Sequence, residues 1–66
     1  MPAQGIRSVS HQDALRIIET RSPCGLFIEH LEDGSCVGID NTTGDAWTED
    51  FPDAAQCFRW LTEIFD

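Results

Sequence analysis

Asp33-Gly34, set between the apolar runs GLFIEHL and CVGID, constrains this chain more than any other feature. The central residues of a tight hairpin turn need positive φ, and Asp-Gly adopts it at low cost. The pair therefore predicts two adjacent antiparallel strands. A two-residue turn pairs Ile28 with Ile39 and His30 with Val37. Leu26, Ile28, Val37 and Ile39 then share one sheet face. Phe27, Glu29, Leu31, Cys36, Gly38 and Asp40 share the other, because side chains alternate along a strand.

A second hairpin is expected at Asn41-Thr42-Thr43-Gly44, which suits a type I turn closed by a left-handed glycine. Such a three-residue loop pairs Ile39 with Trp47 and brings Trp47 and Phe51 onto the apolar face. A four-residue loop turns Trp47 outward, so burial of the indole selects the shorter one.

Helices flank this meander. In SVSHQDALRIIETR, Ser10 is a suitable N-cap, with Asp13 three residues on and Val9 and Ala14 placed as a hydrophobic staple. Ala14, Leu15, Ile17 and Ile18 form a short apolar stripe, and Ser22-Pro23 ends the helix. In PDAAQCFRWLTEIFD, Pro52 suits the first turn. Ala54, Phe58, Leu61 and Phe65 make the stripe there, broadened by Cys57, Trp60 and Ile64. Residues 1–7 read as a flexible N-terminal arm and residues 8–66 as a single domain. The expected fold is α+β: a two-layer αβββα domain, with a three-stranded antiparallel meander and two helices on one face.

A chain of 66 residues buries only a modest core. Its 41% hydrophobic content separates it from the disordered class. No apolar run approaches the roughly 20 residues that span a bilayer. The start, MPAQGIRSVS, lacks a signal pattern, which points to the cytoplasm. Twelve acidic residues against four arginines and no lysine give a net charge of −8. Phosphate backbones and anionic membranes repel such a surface, so direct nucleic-acid and membrane binding are not expected. A basic protein partner, or plain solubility, accounts for the charge. Cys24, Cys36 and Cys57 are odd in number and lack CxxC spacing, which favours reduced thiols over a disulfide framework or a structural zinc site.

Four groups of residues are candidates for function. The loop from Asp40 to Asp45 offers oxygens for a hard cation, but its spacing is not that of an EF-hand, and a polar turn explains it. Glu49, Asp50 and Asp53 precede the last helix, where acids complement the helix dipole. His30 with Glu49, or a cysteine with a neighbouring base, defines the enzyme reading, set against a rim histidine and buried apolar thiols. Finally, two helices on one face leave Phe27, Leu31 and Cys36 uncovered on the other, rimmed by acids, as a contact surface.

The run VGIDNTTGDAWTEDF followed by AAQCFRWL resembles small bacterial proteins, some of them carried by phages and mobile elements. Their shared pattern is a hydrophobic strand, a DN-x-TGDAW hairpin, an acidic step and a short helix ending in Trp-Leu. The resemblance covers about the last two-thirds of the chain and implies no activity and no site residues. By layout alone, the αβββα order is similar to a double-stranded-RNA-binding domain, but without the basic residues that hold phosphates. The same order with strong acidity is similar to some anti-CRISPR inhibitors.

The sequence thus leads to a small acidic, non-catalytic protein-interaction module that self-associates, with no cofactor, metal or catalytic residue implied. Phe27, Leu31 and Cys36 would form its apolar contact face for a homo-oligomer. Asp40, Asp45, Glu49, Asp50 and Asp53 would form an acidic surface for a basic partner. The alternative is a nucleic-acid-mimicking inhibitor of a DNA- or RNA-binding enzyme, carried by a mobile element.

Overall fold

The structure, a computed structural model, describes residues 5–63. It is an α+β fold of order βαβββα: β1 (Ile6–Val9), α1 (His11–Thr20), β2 (Leu26–His30), β3 (Cys36–Asp40), β4 (Trp47–Phe51) and α2 (Ala54–Glu63). The strands form one mixed sheet in the order β1-β2-β3-β4. β2, β3 and β4 make the expected antiparallel meander. β1 adds a fourth strand, parallel to β2, and α1 is the crossover that parallel neighbours require. Ile6 and Arg7, expected in a loose arm, therefore belong to the sheet. Four residues ending at a helix cap are too few to show a strand period.

Local capping chemistry follows the sequence closely. Ser10 caps α1 and its hydroxyl accepts from the Asp13 amide at 3.1 Å. Val9 packs against the cluster that contains Ala14, as a staple would. Arg21 closes the helix in the left-handed region, donating its amide to the Ile17 carbonyl at 2.7 Å. At α2, the Asp53 carboxylate accepts from the Gln56 amide at 2.9 Å, with the Gln56 side chain bonded back to it.

The hairpin registers differ from expectation by one residue each. The first loop holds three residues, Glu32-Asp33-Gly34, between Leu31 and Ser35, whose backbones bond at 2.9 Å. Gly34 supplies the left-handed residue at φ +93°. The Asp33 carboxylate accepts from the Ser35 hydroxyl and amide, which holds its pKa below the usual range. Phe27 consequently faces Ile39, and Ile28 faces Gly38. A one-residue slip exchanges the two faces of β3 relative to β2.

The exchange explains where the helices go. Ala14 and Ile17 of α1 pack on Phe27 and Ile39. Cys57 and Leu61 of α2 pack on Leu26, Ile28 and Cys36. Residues 26 to 28 alternate along one strand, so the helices cover opposite faces of the sheet. The domain has three layers, not two. LFI, a continuous apolar run, is the sequence signature of a strand buried on both sides.

Two helix faces are also re-aimed. Leu15 and Phe58, expected in the stripes, are 48% and 40% exposed. α2 instead seats Cys57 and Leu61, with Ala54 and Trp60 half-buried beside them, while Ile64 and Phe65 lie outside the described residues. Trp60 meets Phe51 of β4 with ring centroids 5.5 Å apart. Among the described residues, no helix is long and apolar enough to cross a membrane.

Candidate functional site

The apolar contact face read from the sequence does not exist as a surface. Phe27 is 3% exposed beneath α1, and Cys36 is 2% exposed beneath α2 on the other side. Leu31 sits in the first turn, partly exposed and apart from both. The cause is the register shift together with the second covering helix.

The acidic residues divide by what holds them. The Asp40 carboxylate accepts from the Thr42 amide and hydroxyl at 3.0 and 2.7 Å. Asp45 accepts from the Thr43 hydroxyl at 2.9 Å. Asp53 caps α2. Glu49 and Asp50 alone stand as unengaged exposed acids on β4, among the described residues. Glu49 lies opposite Gly38 on the α2 side, and Asp50 lies opposite Val37 on the α1 side. The five carboxylates thus do not form one patch. Among the described residues, no three His, Cys, Asp or Glu side chains converge as metal ligands.

The loop from Asn41 to Ala46 is organised by a buried amide. Asn41 has no exposed surface. Its side-chain nitrogen donates to the Pro23 carbonyl at 2.8 Å, and its side-chain oxygen accepts from the Ala46 amide at 3.1 Å. Its backbone exchanges two further bonds with Gly25. With this longer loop, Trp47 pairs with Asp40 instead of Ile39 and is 64% exposed. The expected burial of the indole is overturned, because the Asn41 amide, bonded to Pro23 and Ala46, fixes the loop.

Of the two titratable pairs considered from the sequence, the structure brings together a cysteine and a base but not His30 and Glu49. His30 pairs in the sheet with Cys36, not with Val37, and its Nδ1 lies 3.5 Å from the Cys36 Sγ. The buried Glu29 is met by Nδ1 of the exposed His11 at 2.9 Å. Burial pushes the Cys57 thiol up to about 11, and the charge of a Cys36 thiolate adds to the shift. The folded state therefore keeps this proton longer than the unfolded state. That part of the stability is intact below about pH 9.0 and is lost as the pH climbs toward 11. At pH 8 a disulfide reagent is expected to titrate only the exposed Cys24 in the folded protein, and Cys36 and Cys57 as well after denaturation. Rapid native reaction of Cys57 would show instead that α2 opens from the sheet.

Two surfaces remain that could serve a partner, one at each open edge of the sheet. At β4, the outer backbone edge is unpaired among the described residues, and Trp47, Thr48, Glu49 and Asp50 are all exposed. At the opposite edge, β1 and α1 enclose a groove of about 220 Å³. Arg7, Arg16, Ser8 and Ser22 line it, over Ile17 and Phe27. The sequence reading missed this groove. A signal was present: three of the four arginines, Arg7, Arg16 and Arg21, fall within fifteen residues of an otherwise acidic chain.

The class these observations define is a small α+β domain with a helix on each face of a mixed sheet whose two edges are unpaired among the described residues. No protein-family model, no curated protein and no solved structure matches the chain.

Proposed function

We propose that the protein is a small, non-catalytic protein-interaction module that docks an extended basic segment along β4. The observation that carries this reading is β4 itself. It is an edge strand with Trp47 64% exposed and Glu49 and Asp50 exposed beside it. An open edge supplies a row of backbone donors and acceptors for an added strand. An exposed tryptophan supplies anchoring area, and the acids select basic side chains. The net charge of −8 adds long-range attraction.

A strand-forming peptide alternating lysine and valine tests it, with tryptophan fluorescence as the readout. Binding is expected at low salt, weakening steeply as salt rises. The double variant E49K/D50K is expected to abolish it, and Trp47→Ser to remove the fluorescence response. Binding that E49K/D50K leaves unchanged would count against β4 as the docking element.

Self-association is supported by a separate observation. β1 carries Arg7 on one edge of the sheet, and β4 carries acids on the other. Pairing of β1 with β4 of a second copy is heterologous, so it extends into rings or chains of copies. Light scattering behind a sizing column is expected to show mass growing with concentration, and E49K/D50K to return it to the monomer. A monomer at all concentrations removes this reading and leaves the first. Nothing comparable favours nucleic-acid mimicry by the five acids considered, because Glu49 and Asp50 point to opposite sides and Asp40, Asp45 and Asp53 serve turns and a cap.

A further inference from the structure

The groove between β1 and α1 differs in chemistry from the rest of the molecule. In a chain with four cations, two of them, Arg7 and Arg16, converge on one cavity. Neither guanidinium is ion-paired or hydrogen-bonded to a side chain among the described residues, although acids outnumber arginines three to one. Unpaired planar guanidiniums at a concave surface are ready-made donors for a carboxylate. Ser8 and Ser22 also line it, Val9 and Pro23 give it an apolar wall, and the nearly buried Ile17 and Phe27 lie at its base. Among the described residues β1 pairs only with β2, and β1 also contributes Arg7, Ser8 and Val9 to the groove, so its outer backbone edge adjoins it.

We infer that this groove binds the C-terminal end of an extended partner peptide. The peptide adds as a strand to β1. Its last, apolar side chain lies against Val9 and Pro23, above the buried Ile17 and Phe27, and its free carboxylate is held by Arg7 and Arg16. Three properties select this occupant. The volume of about 220 Å³ suits one side chain and its carboxylate, being below the roughly 300–1,000 Å³ of drug-sized pockets. Asp13 also lines the groove and reduces its formal charge to that which matches one carboxylate instead of a phosphate dianion. The adjoining open strand edge offers backbone bonds that a free small acid cannot use.

The test uses the full chain, labelled with nitrogen-15, and five titrants. These are a pentapeptide ending in phenylalanine with a free carboxylate, its C-terminal amide, N-acetylphenylalanine, inorganic phosphate, and the alternating lysine-valine peptide as control. The free-acid pentapeptide is expected to give saturable amide shifts at Ser8, Val9, Ile17 and Phe27. The amide form is expected to bind at least about tenfold more weakly, since a hydrogen-bonded charge is lost. N-acetylphenylalanine is expected to be weaker than the pentapeptide, and phosphate weaker still. Arg16 is exposed and belongs to α1, so R16Q keeps the fold and the strand edge intact. R16Q is expected to weaken the pentapeptide about tenfold and leave the lysine-valine peptide unaffected. E49K/D50K is expected to do the reverse, which separates this site from β4. Equal binding of acid and amide, phosphate binding as tight as the pentapeptide, N-acetylphenylalanine matching the pentapeptide, an unchanged R16Q, or no shifts at millimolar peptide would each overturn the inference.

Discussion

Asn41→Ala is expected to destabilise the domain by about 2–4 kcal/mol, read as a fall in the urea midpoint at unchanged slope. The side chain is wholly buried and bridges two segments, donating to the Pro23 carbonyl and accepting from the Ala46 amide. Truncation removes both part-buried bonds and leaves a void where the amide was, and an unsatisfied polar group shielded from water costs about 1–3 kcal/mol. A domain of this size has a total stability of only about 3–10 kcal/mol. The variant is therefore expected to show a measurable unfolded population without denaturant. Asn41→Asp tests the same site differently: it keeps the acceptor, loses the donor and places a charge where no water reaches. A loss below about 0.5 kcal/mol in Asn41→Ala would mean that a water replaces the amide, and the loop would then have another organiser.

The second large effect is expected at Gly38. A Cβ built there lies 3.0 Å from the Cys57 sulfur and 3.0 Å from Cε3 of Trp60. Glycine at this point of β3 allows α2 to lie directly on the sheet. Gly38→Val is expected to cost about 2–4 kcal/mol, and Gly38→Ala about 1–2, because overpacking pushes α2 outward. Thermal unfolding reads the loss. Adding Trp60→Leu is expected to recover part of it, since the indole is one of the two groups met. A Gly38→Val variant of native stability would show that α2 is not seated where β3 and Trp60 place it.

These two residues also mark where sequence reading ended. Gly38 was assigned to the uncovered face, and its contact with Trp60 is a property of the helix above it. Asn41 was read as the opening residue of a short turn, a role suited to its side chain. Its amide instead spans to Pro23, eighteen residues away, and the longer loop follows from that long-range bond. The candidate site fared similarly. Glu49 and Asp50 were identified by charge, and they are exposed on β4. The groove at the other edge joins Arg7 to Arg16 and Ser22, residues that only the β1–α1–β2 crossover brings together.

The sequence by itself determined what depends on near neighbours. Ser10 and Asp53 place the helix starts, Gly34 places the first turn, and the apolar runs on either side of it place β2 and β3. Each of these needs only a few consecutive residues, because caps and turns are satisfied by bonds over two to four positions. The tertiary structure decided the registers, the fourth strand, the two covered faces and the exposure of Trp47. A loop longer or shorter by one residue costs little locally, yet it turns every following side chain to the other face. The choice among loops is therefore made by burial summed over the whole sheet. In the observed register Phe27 and Ile39 are buried under α1, and Leu26, Ile28 and Cys36 under α2.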